Sequence, residues 1–385
     1  MTFFSTDILQ PLVEESGEQT SLPATTPTPI AQDPNAGPMD FRQHIIQINT
    51  PIKTALAQLD KLAADAILFV VNEDEELVGS LTDGDVRRGF LKGLSLDDMI
   101  DKFLQTNPKS LQKGAYTIEQ VINFRENDYK IVPVICREGK IVNVLNFRFL
   151  KSYLPVDAII MAGGRGQRLS PLTDTTPKPL LKVGGESIIE HNINRLAAFG
   201  IDEFRISVGY KGEQIEAEIG NGFNRNINIQ YIHEKEPLGT IGAVSIITDF
   251  QHEYLLVTNS DVLTNINYEH FFLHFLSQNA DLAVVTIPYK VTIPYAVLEI
   301  ENNDITSFKE KPSFTYYTNG GIYLMKRAVL EHLPQNTYFD ATDLAEKLIA
   351  LGKKVVSYPL AGYWLDIGRP EDYEKAQQDI HQIKF

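Results

Sequence analysis

Between Met161 and Gly185 the chain reads MAGGRGQRLSPLTDTTPKPLLKVGG, so Gly163, Gly164 and Gly166 follow directly on the apolar run VDAIIM and are followed by Arg168 and Lys178. Glycines at a strand end let backbone amides surround phosphate oxygens without obstruction, and the two cations add charge to that cradle. Leu169 stands where the third glycine of a dinucleotide fingerprint would fall, and no Gly-Lys-Ser/Thr follows as in a Walker loop. The ordinary nucleotide motifs are therefore set aside.

Transfer chemistry on phosphate brings anions together, which calls for a hard divalent cation on carboxylate oxygens. Asp261 follows the apolar run EYLLVTNS, at the carboxyl end of an expected central strand, the edge where open α/β sheets bind ligands. Asp366 lies in YWLDIGRP. Taken singly, each also suits a helix cap or a turn. His270 and His274 in HFFLH have helical spacing but no third ligand to match, and read as a solvated helix face.

The glycine loop resembles the signature of the nucleotidyltransferases that make NDP-sugars, Gly-Gly-x-Gly-Thr/Ser-Arg-Leu-x-Pro-x-Thr followed by Lys-Pro, and the likeness runs from Val156 to the C-terminus. The resemblance implies in-line attack of a sugar-1-phosphate oxygen on the α-phosphorus of an NTP, release of pyrophosphate, and Mg²⁺ as cofactor. By match, Ala162, Gly163, Gly164, Gly166 and Arg168 hold the nucleotide phosphates, Lys178 orients the α-phosphate, and Asp261 and Asp366 are paired as Mg²⁺ ligands. Gln167 replaces the usual Thr or Ser and can still donate an amide proton.

HEKEPLGTIGA resembles the segment under the nucleobase, with Gly239 and Thr240 giving close backbone approach and Glu234 near the base edge. A carboxylate can accept both N1–H and the exocyclic amine of guanine, whereas thymine offers one imide proton, so Glu234 leans toward GTP. IPYAVLE, FKEKP and TNGGIY resemble the sugar-side segments and place Tyr295, Glu310, Lys311, Asn319 and Gly321 around the hexose phosphate; Ala296 stands where the family commonly has glycine. Within the family the chain looks most like the glucosamine-1-phosphate guanylyltransferases of legionaminic acid synthesis, which serve surface glycans. The competing expectations are a glucose-1-phosphate thymidylyl- or uridylyltransferase, a mannose-1-phosphate guanylyltransferase and, from another class, a non-catalytic NDP-sugar sensor.

The elements that must position these residues alternate: VDAIIM, SIIEHNINRLAAFG, FRISV, GEQIEAEI, INIQYI, GTIGAVSII and EYLLVTN read as strands and helices of an α/β Rossmann-like, doubly wound sheet. From Asp281 onward, LAVVTIPY, AVLEIE, ITSFKE and TNGGIYLM are strand-like, with helices near Thr342 to Leu351 and Pro370 to Ile383, which makes the sheet mixed.

Upstream, FVVNEDEELVGSLTDGDVRRGF and VPVICREGKIVNVLNFRFL repeat at an offset of 64, two copies of one small α/β unit. They resemble CBS domains, which usually pair and often bind adenine nucleotides. The first copy carries Gly79, Thr82 and Asp85, while the second has Asn146 and Phe149 at the equivalents of Thr82 and Asp85. At most one ribose site is expected, and the pair could equally serve only dimerisation. The expected divisions are a leader over 1–38, rich in Pro, Thr and Ala from Thr20, a CBS pair over 39–154, and a nucleotidyltransferase domain over 155–385.

The net charge of -15, from 35 basic and 50 acidic residues, disfavours nucleic acid and anionic membrane as partners. One cysteine, Cys136, excludes an intrachain disulfide and a cysteine zinc site, and fits a reducing compartment. With no basic, apolar leader at its start and no apolar run of spanning length, the chain is expected to be cytoplasmic and, given the paired modules, a homo-oligomer.

Overall fold

The computed structural model describes residues 40–383, so the leader expected over 1–38 lies outside the described residues. The first repeat consists of β1 (Ile45–Gln47), α1 (Ile52–Leu62), β2 (Ile67–Val71), β3 (Leu77–Thr82) and α2 (Asp83–Leu91), with β4 (Gln105–Thr106) at its edge. The second consists of β5 (Leu111–Gln112), α3 (Ile118–Glu126), β6 (Ile131–Ile135) and β7 (Ile141–Asn146). In both, the first strand is parallel to the second and the second antiparallel to the third. Adding 64 to the bounds of β2 and β3 gives those of β6 and β7, and the register slip between Val70 and Val71 recurs between Val134 and Ile135. The sequence repeat is thus a repeat of the backbone.

The copies part where the first enters α2. There Thr82 caps the helix, whereas the Asn146 side chain accepts from Arg148 N at 3.0 Å and closes a turn instead. Their cores also differ in company. Ile52, Leu59, Leu68, Val70 and Leu81 pack within the first repeat, but Val121, Val134 and Leu145 of the second are continuous with Tyr153, Val156 and Ala158 of the segment that follows.

That segment builds a seven-stranded mixed sheet. Four neighbouring strands of it run parallel: β8 (Val156–Ala162), β11 (Glu203–Val208), β12 (Asn228–His233) and β13 (Tyr254–Asn259). Between β8 and β11 lie the hairpin β9 (Lys182–Val183) and β10 (Glu186–Ser187) and the helix α4 (Ile188–Ala198); α5 (Gly212–Ile219) separates β11 from β12. β11 is buried along its whole length and β8 along nearly all of it, but β11 sets Phe204, Ile206 and Val208 on one face and buried Glu203, Arg205 and Ser207 on the other. GTIGAVSII, expected in the strand-helix alternation, forms only a 3₁₀ turn over Gly242–Ile246.

After β13 come β14 (Val262–Thr264), α6 (Tyr268–Ser277), β15 (Leu282–Thr292), the hairpin β16 (Val297–Glu301) and β17 (Asp304–Lys309), β18 (Ser313–Lys326), α7 (Ala341–Ala350), β19 (Val355–Pro359), β20 (Trp364–Asp366) and α8 (Pro370–Asp379). The order across the large sheet is β12-β11-β8-β13-β18-β15-β19, with β18 antiparallel to β13 and β15. β15 and β18 outrun the sheet and stay paired out to Thr292 and Ser313, forming an arm. The run LAVVTIPY read from the sequence stops at Tyr289, short of the end of β15 at Thr292. On a two-stranded ribbon with one free edge, the missing donor of Pro288 costs little, and the strand continues.

Among the described residues no helix is long and apolar enough to cross a membrane.

Candidate active site

The glycine loop leaves the carboxyl end of β8 beside the ends of β11 and β13, with Ala162 buried at its root. A Cβ on Gly163 would lie 2.5 Å from Glu234 Oε1, and one on Gly166 would lie 2.9 Å from Lys178 Cβ at a backbone φ of +65°. Those two glycines are fixed by packing. Gly164 has no atom within 4 Å of its missing Cβ and faces open space. Gln167, Arg168 and Leu169 form a short 3₁₀ turn, with Leu169 buried and both polar residues exposed. The Arg168 guanidinium reaches over Gly368, where a Cβ would lie 3.5 Å from it.

Asp261 and Asp366, 105 positions apart in sequence, are brought side by side by the pairing of β14 with β20, which sets Val262 opposite Asp366. Ile367 N donates to Asp261 O at 3.0 Å and locks that register. Lys178, 8% exposed, forms an ion pair with Asp261 Oδ2. Oδ1 of Asp261 and Oδ1 of Asp366 are both buried without a hydrogen-bond partner. Burial pushes the Asp366 carboxyl above its ordinary range and the charge of Asp261 pushes the same way, against the pull of Lys178 and Arg168.

Two orphaned carboxylate oxygens on adjacent strands are costly unless something positive meets them. Their hard oxygen chemistry fits a small divalent ion of the Mg²⁺ kind, which binds through one or two carboxylates and leaves its other positions to water and phosphate oxygens. No cluster of three or more potential metal-ligating side chains occurs among the described residues. His270 is exposed, and His274 packs on Tyr358 while its Nε2 meets Ser357 O at 3.2 Å.

On the base side, Glu234 does not stand free. Ser207 Oγ donates to its Oε1 at 2.6 Å and Leu238 N to its Oε2 at 3.0 Å, so the carboxylate ties the β11 end to the PLGT turn while it presses on Gly163. One lone pair on each oxygen remains beyond these bonds. Gly239, at φ +76°, lies against Phe339 O, where a Cβ would come within 2.6 Å. Thr240 gives its N and Oγ1 to Asp340 Oδ1 at 2.9 and 3.0 Å, and Asp340 also caps α7.

On the sugar side, Asn319 Oδ1 accepts from Gly321 N at 3.0 Å, and its Nδ2 donates to Tyr323 OH at 2.6 Å. These residues shape the bulge at which the register of β18 against β15 slips and the arm begins. Trp364, two residues before Asp366, donates its indole N–H to Gly320 O at 2.8 Å and so ties the bulge to the carboxylate strand. Tyr295, Glu310 and Lys311 are carried outward on the arm, all exposed, and among the described residues neither Glu310 nor Lys311 makes a side-chain hydrogen bond or ion pair. The structure therefore gathers the glycine loop, Lys178, Asp261, Asp366, Glu234, Asn319 and Gly321, and leaves Tyr295, Glu310 and Lys311 on an open flank.

In the first repeat, Thr82 and Asp85 form a capping box on α2, with Thr82 Oγ1 donating to Asp85 Oδ2 at 2.6 Å and Arg88 paired to Asp85 Oδ1. In the second, Asn146 and Arg148 donate to the two oxygens of buried Asp65, at 2.9 and 2.6 Å, and clamp one repeat to the other. Sequence reasoning missed Ser207, Asp340 and Trp364. A signal existed for the last two: Asp340 precedes ATDLAEKL with Asp343 at the capping-box position, and Trp364 is the single tryptophan of the chain.

Residues 157–383 match the nucleotidyl transferase family and residues 42–92 match the CBS domain family. The chain belongs to the nucleotidyl transferase family. It is 31% identical over 231 residues to the mannose-1-phosphate guanylyltransferase of Mycobacterium tuberculosis, covering 58% of this chain and 64% of that protein. It is 33% identical over 229 residues to the D-glycero-alpha-D-manno-heptose 1-phosphate guanylyltransferase of Aneurinibacillus thermoaerophilus, covering 58% of this chain and 98% of that protein. The chain thus spans a little under two thirds of the first relative and nearly all of the second. Among solved structures, HddC from Yersinia pseudotuberculosis aligns with a TM-score of 0.47 and 27% identity over 58% of this chain and 99% of that one.

Proposed function

We propose that this chain is a sugar-1-phosphate nucleotidyltransferase, which joins a nucleotidyl group from an NTP to a hexose-1-phosphate and releases pyrophosphate. The observation that carries the reading is the pairing of Asp261 with Asp366, each with a buried, partnerless Oδ1, next to Lys178. The loop from Gly163 to Arg168 cradles the β- and γ-phosphates with backbone amides and the guanidinium. Lys178 orients the α-phosphate and draws off charge as the sugar-phosphate oxygen attacks in line. A divalent cation held by Asp261 and Asp366, Mg²⁺ in our reading, supplies charge neutralisation between the two anionic reactants.

For the base, the reading is GTP. Its support is the free lone pairs of Glu234 beside the PLGT turn and the guanylyl transfer named for both relatives above. For the sugar, the reading is glucosamine-1-phosphate, bound by Asn319 and Gly321 with Tyr295, Glu310 and Lys311 of the arm, and serving surface glycans such as those built with legionaminic acid. A second reading, mannose-1-phosphate, is favoured by the name of the Mycobacterium tuberculosis relative. Residues 39–154 are read as a CBS pair in a cytoplasmic homo-oligomer; an adenine nucleotide at Thr82 and Asp85 would have to take Asp85 from Arg88.

Pyrophosphate release from GTP, dTTP, UTP, CTP and ATP, each against glucosamine-, glucose-, mannose- and N-acetylglucosamine-1-phosphate, tests the reading. Release confined to GTP with glucosamine-1-phosphate supports it, another productive pair replaces the base or the sugar, and silence in every pair favours a product sensor.

A further inference from the structure

β11 ends beside β8 and runs into Gly209-Tyr210-Lys211-Gly212 just as β8 runs into the glycine loop. The two loops touch at their roots, where a Cβ on Gly209 would lie 2.9 Å from Gly163 O. They meet again further out: Lys211 Nζ donates to Asp174 O at 2.6 Å, and Tyr210 OH approaches the same carbonyl at 3.3 Å. The Arg165 guanidinium lies over the Tyr210 ring, 5.7 Å from its centroid. Asp174 lies within the stretch between Arg168 and Lys178, so this one carbonyl is gripped well away from the root of the loop.

Lys211 holds a left-handed backbone, φ 54° and ψ 37°, as the N-cap of α5. A non-glycine residue there carries local strain that persists only where its surroundings demand it. Glycine follows at position 212, where a Cβ would lie 2.9 Å from Val208 Cγ2, so close packing against β11 fixes a glycine there. A lysine kept in a glycine-like conformation, with its amine spent on a loop carbonyl, is what a latch requires.

We infer that Lys211, supported by Tyr210, is a positioning residue that holds the 163–178 loop in its nucleotide-ready shape. This rests on reading that loop as the nucleotide cradle. The lysine acts through the loop and not on the reacting phosphates, so its loss weakens nucleotide binding by making the loop order itself on arrival.

The test uses the full chain with Lys211→Met, Lys211→Gly and Lys211→Arg. The glycine variant relieves the backbone and removes the amine together, so poor folding cannot imitate loss of the latch. Hydrogen exchange of the 163–178 backbone without nucleotide should quicken several-fold in the Met and Gly variants and return toward wild type in Arg. The KM for NTP should rise about five- to tenfold in Met and Gly, with kcat at saturating NTP and the KM for sugar phosphate nearly unchanged. Unchanged exchange in both variants, or a fall in kcat at constant KM, overturns the latch. If GTP, dTTP and UTP all fail to slow exchange of this loop in the wild-type chain, the cradle reading fails, while the exchange difference measured without nucleotide still decides the latch.

Discussion

Exchanging one oxygen of Asp261 for an amide separates what the carboxylate pair does from what holds it in place. Asp261→Asn keeps the side chain's size, deprives Lys178 of its partner and relieves Asp366 of a like charge, so the effects on stability oppose each other. The expected change in unfolding free energy is within about 2 kcal/mol, because Lys178 keeps Asp366 nearby, while turnover falls about a hundredfold or more with the loss of a cation ligand. Urea unfolding together with pyrophosphate release checks both halves; an active variant would remove Asp261 from the chemistry.

At the scale of elements, the PLGT turn and the start of α7 are held together through Asp340. Burial pushes its carboxyl up, but hydrogen bonds from Thr240 and Tyr338 outweigh that and hold it below its ordinary range. A lowered value in the folded state means that ionised Asp340 stabilises the fold above the ordinary carboxylate range, and that this contribution is lost as pH falls through the folded value. Asp340→Ala should cost about 1 kcal/mol near neutral pH, as expected for a helix cap. The deficit against wild type should shrink in acid, and a deficit that grows on acidification would contradict the role given to the carboxylate. Asp85→Ala in the first repeat should cost a similar amount, about 1 kcal/mol, through the capping box on α2, whatever it does to ligand binding.

Much of this was legible in the sequence, and the gaps have physical causes. The strands around VDAIIM and EYLLVTN read directly because buried parallel strands are largely apolar, and FRISV read as a strand although Arg205 and Ser207 are buried in it. The repeat at offset 64 was visible because turn and strand residues recur together. The 163–178 loop announced itself through glycines beside cations, but why Gly163 must be glycine did not, since the atom it avoids belongs to Glu234, 71 positions away. The partnership of Asp261 and Asp366 depends on the pairing of β14 with β20, two three-residue strands that no periodicity reveals. The reach of the arm to Thr292 was not legible because its outer residues are exposed and carry no burial pattern.

For the whole molecule, the shared core makes a prediction about cooperativity. Val121, Val134 and Leu145 of the second repeat belong to the same packed cluster as Val156, Ala158 and Ile160 of the large sheet. Tyr153, fully buried between them, stacks on Tyr116 at 4.8 Å and donates to Asp202 at 2.8 Å. Tyr153→Phe should destabilise by about 1–3 kcal/mol, because the Asp202 oxygen loses a buried donor. The second repeat and the large sheet should then melt together at a lower temperature in calorimetry, and separate transitions for the two would show that the common core does not couple them.

The most direct test of the central claim is pyrophosphate release by the full chain from GTP with glucosamine-1-phosphate or mannose-1-phosphate, measured with Mg²⁺ and again with EDTA, alongside Asp366→Asn. The account predicts release that requires the cation and is lost in the variant. Release that persists in EDTA, or a variant as active as wild type, would contradict the assignment of the paired aspartates and with it the proposed site.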